Sequence, residues 1–443
     1  DWQKPLDIEP LQKIPQYDQF VEKVRYVEIS PVESGDFGYQ YQKVQTFQLS
    51  NPNGVIQMDD LFVRQKVELA SGTGVLSAGS KGFYERKTLK MSAGQIFENL
   101  QDAARVDTAL ALLQKESDKL SNDWDQGIHG LVCGITGATS DSTINDIGDL
   151  RFVKTDVSTT PIEMIYRPEF SFGKLNKVYH SCVGGSIDVQ LEFANDKRAI
   201  QHGSTATPKL KFTLPRLHAK MIDLSPEYRQ KLQHMEIFYN FENKAVSSHK
   251  WDAVGLNQVS IRVSADKCNW LLKYYHVLGD ADRVPLTGAN PYIKKFPYPD
   301  TDSGKDYQTV LRHAGDTLPV YPLKSDVAKW RMTQDALDLS DTLVGGNCIS
   351  KTQYLMPNGT ATDAACLLKT GLPQHLVVYP LSKNGINTGL NLSDNPISIE
   401  EVLTGNTQTY LSSTSSTLYM HVVIGYSVVA RLIGFQQMEL GVL

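Results

Sequence analysis

Three short elements of this sequence could, in combination, do acyl-transfer chemistry. A Ser-x-x-Lys pair occurs at Ser171–Lys174 and again at Ser264–Lys267, followed by Lys369-Thr370-Gly371 and then Ser393-Asp394-Asn395. In serine β-lactamases and penicillin-binding proteins such elements hold a serine nucleophile and its activating groups. There, however, the Ser-Asp-Asn element precedes Lys-Thr-Gly, and the nucleophile opens a helix. Here the order is reversed, and Ser171 and Ser264 fall in strand-like sequence. The set is read as coincidence.

Other fragments fail on spacing. "GGSID" (Gly184–Asp188) is one glycine short of a nucleophile elbow and leads into a strand, so it is read as a β-turn. "GTGVLSAG" (Gly72–Gly79) lacks the dinucleotide-binding spacing. "DTDSGKD" (Asp300–Asp306) begins like a calcium loop but sets Gly304 one place early and Leu311 where the bidentate glutamate belongs. The ten histidines show no HxH, HxxxH or HExxH spacing for zinc. His180, His276 and His421 lie beside apolar residues and are read as core or interface groups. Asp59-Asp60 and Glu400-Glu401 are adjacent pairs, read as solvated turns or helix starts. A glycosidase would need two carboxylates facing across a cleft. No catalytic residue, metal ligand or cofactor is assigned.

Composition narrows the classes further. At 443 residues the chain exceeds a single core, so two or three domains are expected. An apolar fraction of 41% and a mean hydropathy of −0.29 describe a soluble, folded protein. The net charge is −5 with Lys and Arg scattered, which argues against gripping nucleic acid through its phosphates. Five cysteines without CxxC pairing point to buried thiols, not a disulfide framework. Two glycosylation sequons, Asn358-Gly-Thr and Asn391-Leu-Ser, carry little weight without a secretory signal. Asp1 in place of Met is what a processed or renumbered chain would show.

The elements that would have to position any site are mostly strands. Apolar residues alternate in "LFVRQKVEL" (Leu61–Leu69) and "IDVQLEF" (Ile187–Phe193), the signature of half-buried antiparallel strands. Val44–Leu49, Lys209–Leu214, Glu236–Phe241 and Val259–Val263 read the same way. Helix signals are few. Ser92 with Gln95 forms a capping box ahead of Ile96, Leu100, Ala103, Val106, Leu110, Leu113 and Leu120, which predicts a helix near 93–120. Ser225-Pro226-Glu227 starts another. Ser398 with Glu401 predicts a short helix ending at Gly405, and Asp326–Leu339 predicts one more.

The last stretch, "LYMHVVIGYSVVARLIGF" (Leu418–Phe435), is nearly all apolar. A spanning helix needs about 20 such residues, and the uncharged centre from Val422 to Ala430 is less than half that. Val422, Val423, Ile424, Val428 and Val429 are β-branched and suit a sheet. One or two buried strands, facing protein on both sides, are expected. The polar run Asn195–Lys209 is the expected domain boundary. The layout is all-β with few helices, as two consecutive β-sandwich domains.

In the order of its segments the chain resembles the double jelly-roll major capsid proteins of the tectivirus–adenovirus lineage. The resemblance rests on "FQLSNPNGVIQMDDLFVRQKVEL" (Phe47–Leu69), "PEFSFGKLNKVYHSCVGGSIDVQLEFAND" (Pro168–Asp196), "LKFTLPRLHAKMIDLSPEYRQKL" (Leu210–Leu232) and the closing "QHLVVYPL" (Gln374–Leu381) with the apolar end. It implies an N-terminal arm at 1–20, a first jelly roll at 21–204 with a helical insertion near 93–120, and a second jelly roll at 205–443. It further implies a homotrimer forming a pseudo-hexagonal capsomer of an icosahedral shell in the virion. Neighbouring capsomers, penton and minor capsid proteins are the implied partners; the family often encloses an internal membrane. Direct sequence-specific nucleic-acid binding is not expected. In the arm, Leu6, Ile8, Leu11 and Ile14 are the candidate inter-subunit contacts, with Pro5, Pro10 and Pro15 opposing a helix. The competing readings are a viral spike or other single-jelly-roll structural protein, and a jelly-roll carbohydrate-active enzyme.

Overall fold

The computed structural model describes residues 20–70, 74–76, 79–113, 155–157, 159–201, 209–252, 255–278, 308–323, 325–336, 375–381, 389–403, 417–433 and 438–442. The first half carries β1 (Val21–Ile29), β2 (Val44–Leu49), β3 (Gly54–Leu69), β4 (Gly74–Leu76), β5 (Tyr84–Met91), β6 (Ile96–Gln101), β7 (Thr155–Val157), β8 (Ile162–Tyr166), β9 (Val178–Tyr179), β10 (Ile187–Phe193), β11 (Ile200–Gln201) and β12 (Leu210–Leu224). The second carries β13 (Glu236–Trp251), β14 (Gly255–Ile261), β15 (Cys268–Leu278), β16 (Gln308–His313), β17 (Asp316–Leu323), β18 (Leu376–Pro380), β19 (Ile397–Leu403), β20 (Thr417–Ile433) and β21 (Met438–Val442). Alternation decides the faces: in β10, Ile187, Val189, Leu191 and Phe193 are buried while Asp188, Gln190 and Glu192 are half-buried.

In the first half one sheet runs β1-β12-β3-β8 and its companion β2-β10-β5-β6. In the second the sheets run β13-β20-β15-β18 and β14-β19-β16-β17. Among the described residues, with the short strands set aside, each half has eight strands. Counted in chain order, both halves pair as first-eighth-third-sixth and second-seventh-fourth-fifth. One winding is used twice, and it is the double Greek key of a jelly roll. The short β4, β7 and β11 make a separate small sheet, β9 adds to β3, and β21 adds to β20.

The expected boundary at 204/205 is corrected by strand pairing. β12 lies between β1 (Val24↔Ile222, Val27↔Ala219) and β3 (Phe212↔Val67, Met221↔Ile56), so it closes the first sandwich. The second sandwich begins with β13. A strand's alternation does not reveal which sheet it joins, so the polar run before Leu210 misleads.

The helix expected near 93–120 is also corrected. Gly94 takes a left-handed φ of 108° and turns β5 into β6, so residues 96–101 form a strand. Ser92 does not cap a helix; its hydroxyl donates to Asp188, 2.8 Å away on β10. Helix α1 (Ala103–Leu112) starts only after Asp102, itself left-handed at φ 52°. The helix expected from Ser398 is instead β19, whose backbone is paired on both sides by β14 and β16. Ser225 does cap a helix: in the helix Pro226–Gln233, Tyr228 N–H donates to the Ser225 hydroxyl at 3.4 Å. A helix also spans Asp326–Ala336. The arm residues Leu6, Ile8, Leu11 and Ile14 lie outside the described residues, as does the Asp300–Asp306 loop.

The apolar closing stretch is one 17-residue strand, β20, at the middle of its sheet. β13 pairs along its full length, and β15 and then β21 take the other edge. Val422, Val423 and Ile424 are exposed by 0%, 0% and 1%, so consecutive side chains on opposite faces are both covered. That two-sided burial removes the alternation. Among the described residues no helix is long and apolar enough to cross a membrane. Gly425 is required by packing: a Cβ there would sit 2.3 Å from the Trp270 indole, whose Nε1 donates to Glu242 at 2.9 Å. Gly425→Val should therefore destabilise the protein by about 1–3 kcal/mol, read as a lower urea midpoint with an altered tryptophan fluorescence.

Candidate functional site

The described residues converge on a joint between the two sandwiches. Tyr239 and Phe241 of β13 and Val428, Ala430 and Leu432 of β20 belong to the apolar cluster of the first sandwich, with Phe97, Phe172 and Tyr179. The other ends of the same strands, Trp251 with Leu418, Met420, Val422, Val423 and Ile424, belong to the second cluster. In return, Leu100 of β6 and Ala103, Val106 and Ala109 of α1 enter that second cluster. Each half thus places an element in the core of the other. Ring centroids of Phe172 stand 4.8 Å from Phe97, 5.0 Å from Tyr239 and 5.6 Å from Phe241. Aromatic pairs at these spacings add stabilisation beyond the area they bury.

Polar groups fix the register of this joint. The Asn176 amide donates to Asn240 O at 3.0 Å and accepts from Asn240 N–H at 3.2 Å, as a neighbouring strand would. Asn243 donates to Phe97 O at 3.2 Å. His180 N–H donates to the Tyr239 hydroxyl at 3.0 Å, and that hydroxyl lies 2.9 Å from His180 Nδ1. One hydrogen bond therefore joins the Tyr239 hydroxyl to Nδ1, with its direction set by the imidazole tautomer. Burial holds the imidazole down to about 4, consistent with a neutral ring.

Buried charges tie α1 to the first sandwich. Lys87 of β5 donates to Asp107 of α1 at 2.7 and 2.8 Å and to Pro168 O at 2.6 Å. Burial pushes the Lys87 ammonium down, and Asp107 opposes that. Glu169 meets Lys81 at 2.5 Å and Lys174 at 3.1 Å. Burial would raise the Glu169 carboxyl, but Lys81, Lys174 and Lys87 outweigh it and hold it well below the usual range.

The residues singled out for chemistry are distributed through these and other structural contacts. Ser171 is not in a strand; it opens the helix Ser171–Asn176 and its hydroxyl donates to Glu242 O. Lys174 pairs with Glu169, not with Ser171. Ser393 donates to Asp266 at 2.7 Å in a turn before β19. Lys369-Thr370-Gly371 lies outside the described residues. "GGSID" ends a one-turn helix, Ser181–Gly184, and enters β10. Among the described residues no group of three or more His, Cys, Asp or Glu could hold a metal ion. Cys182 and Cys268 are buried free thiols, pushed by burial up to about 11 and about 12.

The acidic pairs differ from expectation. Asp59 and Asp60 are exposed on strand β3, and Asp60 lies 3.6 Å from Arg167. Glu400 faces outward to Arg312 at 3.2 Å, whereas Glu401 is completely buried. Glu401 bonds Lys273 and Tyr275 of β15 and accepts from Thr309 of β16 at 2.8 Å. Reading "ISIEEVL" as a strand would have exposed this: Ile397, Ile399, Glu401 and Leu403 share one inward row. A lysine inside "NWLLKYYHVL" was the matching signal on β15.

Removing one member of a buried pair strands the other, at about 3–5 kcal/mol. Glu401→Gln should lower the unfolding free energy by about that much. Combined with Lys273→Met it should recover most of the loss, as measured by denaturant titration of both variants.

The fold and joint define the class: two jelly rolls of identical winding, interlocked in one chain. No protein-family model matches the chain, and no curated protein matches it in sequence. Solved structures do match. A quasi-atomic model of the PBCV-1 virus capsid superposes with a TM-score of 0.58 at 10% identity, covering 95% of this chain and 97% of that one. The Sputnik virophage structure gives 0.56 at 9% identity, covering 96% and 89%. The Faustovirus major capsid protein gives 0.55 at 8% identity, covering 93% and 90%. At such identities the likeness is one of fold, and it spans both sandwiches. The double jelly roll expected from the sequence is the fold observed.

Proposed function

We propose that this chain is the major structural subunit of a viral capsid and has no catalytic role. The observation that carries this reading is the end-to-end match of both sandwiches, in one order, to capsid proteins. The joint supports it, because continuous strands and shared cores suit a rigid building block. In this reading three copies form a pseudo-hexagonal capsomer, which packs against neighbouring capsomers in an icosahedral shell. Penton and minor capsid proteins complete that shell in the virion. The mild negative charge limits non-specific adhesion to an enclosed genome. The arm, through Leu6, Ile8, Leu11 and Ile14, reaches a neighbouring copy.

Size-exclusion chromatography with light scattering should give a mass three times that of the 49.4 kDa chain, and a stable monomer would overturn the reading. Electron microscopy of the assembled material should show hexagonal capsomers. Leu11→Asp combined with Ile14→Asp should leave each chain folded but reduce the yield of assembled material. An unchanged yield would remove the arm from the assembly.

A further inference from the structure

The core of the second sandwich holds a cluster of four polar side chains that belongs to neither the joint nor any other contact between the halves. Lys273 and Tyr275 come from β15, Glu401 from β19 and Thr309 from β16, and none is more than 1% exposed. Thr309 stands directly opposite Glu401 in one sheet, and Lys273 reaches across from the facing sheet. The core around them includes Leu271, Ile399, Leu403 and Val422. Within the cluster the contacts are ordered. Lys273 Nζ bonds to Glu401 Oε1, and the Tyr275 hydroxyl donates to Oε2 of the same carboxylate. Thr309 Oγ1 accepts from Nζ at 3.4 Å and donates to Oε1 at 2.8 Å. Nζ also lies 3.2 Å from the Tyr275 oxygen.

We propose that Lys273 and Glu401 condense to an amide, a self-made isopeptide bond that joins the two sheets of the second sandwich. An amine and a carboxyl held in contact need no second molecule, and enforced proximity of this kind raises the effective concentration of the reactants by orders of magnitude. The dry site favours the product. Two charges are costly to keep away from water, and the amide carries none. The proton path follows the contacts. One Nζ proton passes to Oε1, which leaves a free amine and a carboxylic acid. The Nζ lone pair then attacks Cδ, and the negative charge that develops on Oε2 meets the Tyr275 O–H, the donor that an oxyanion requires. Thr309 takes a second proton from Nζ and hands its own to Oε1. The Cδ–Oε1 bond breaks, Oε1 departs as water, and Oε2 becomes the amide carbonyl. Nζ keeps its third proton as the amide N–H, and nothing is oxidised or reduced.

Folding comes first, because the two residues stand 128 positions apart in the chain. In the newly folded chain they are the buried ion pair described above, and the bond closes afterwards. Both strands that it joins lie inside their sheets, β15 between β20 and β18, and β19 between β14 and β16. The bond therefore ties interior strands, and the two sheets cannot separate while it holds. Its place is also distinct from that of the ribbon. The ribbon fixes one sandwich relative to the other through main-chain pairing, whereas this bond closes the second sandwich upon itself. The inference is independent of the capsid reading.

Mass spectrometry of the full chain tests the bond. Samples taken at intervals after folding should become lighter by one water, while chain held unfolded in guanidinium chloride from the start should not. Trypsin digestion of the matured chain should yield one branched peptide joining the segments around Lys273 and Glu401, with no cleavage after Lys273. Lys273→Met should keep the full sequence mass. Tyr275→Phe and Thr309→Val preserve the shape of the site and should each slow the loss of water by about a hundredfold. A role in packing alone would leave the mass unmoved. A folded wild-type chain that stays at its sequence mass overturns the proposal. So does a loss of water that persists in Lys273→Met, which would place the dehydration elsewhere. If the variants do not fold, the wild-type digest decides alone, and separate, unjoined peptides around Lys273 and Glu401 refute the bond.

Discussion

The structure depends on a two-stranded ribbon that runs through two cores. β13 and β20 pair residue for residue from Glu236↔Ile433 to Trp251↔Leu418. At about 3.3 Å per residue, sixteen paired residues extend for roughly 50 Å, well beyond a common strand of five or six residues. One end of the ribbon carries Tyr239, Phe241, Val428 and Ala430 into the first core; the other carries Trp251, Leu418 and Val422 into the second. A hinge between the sandwiches would have to break a backbone ladder in apolar surroundings, where unpaired amides are expensive. The relation between the two jelly rolls is thus set by main-chain hydrogen bonds before any side chain contributes.

The return contact through α1 is built on different chemistry. Its alanines and Val106 pack on the second core, but its position is specified by ions and rings. Asp107 is held by Lys87 of β5, and Asp102 sits beside His421 of β20. Buried ion pairs add little net stability compared with apolar packing of the same volume. What they do is penalise misplacement, since a shift of α1 by one residue would take Asp107 from Lys87 and leave that buried amine only Pro168 O. The ribbon ties the sandwiches through main-chain hydrogen bonds, whereas the α1 contact adds side-chain contacts of Asp107 and Asp102.

Much of this architecture was legible in the residues, and the failures have particular causes. "LFVRQKVEL" and "IDVQLEF" alternate because one face meets a core and the other does not. β20 lost its alternation because both faces are covered, and its β-branched residues still marked it as strand. The apolar spacing from Ala103 to Leu113 was a true helix signal. Ile96 and Leu100 mimicked its earlier turns, although Gly94 had already made a hairpin there. Ser398 and Glu401 matched a helix cap, yet two flanking strands compete for the same backbone groups and tertiary pairing prevailed. The boundary was misplaced because nothing local to Leu210–Leu224 says that its partners are β1 and β3, more than a hundred residues upstream. Glu401 was missed because adjacency in sequence suggested a shared environment, whereas neighbours on a strand face opposite ways.

Using one winding twice does not make the two sandwiches equivalent. In each, a helix lies between the fifth and sixth strands: α1 in the first, Asp326–Ala336 in the second. α1 is buried along nearly its whole length because its own sandwich lies on one side and the second sandwich on the other. The second helix packs on its own strand β18, where Thr333 accepts from Val378 N–H at 3.0 Å, while Val327 stays 50% exposed. Both helices nevertheless bury charge: Arg105 and Asp107 in "AARVDTALAL", and Lys329 in "DVAKWRMTQDA". One winding thus accommodates two differently placed helices, α1 in the core of the second sandwich and Asp326–Ala336 against β18 of its own.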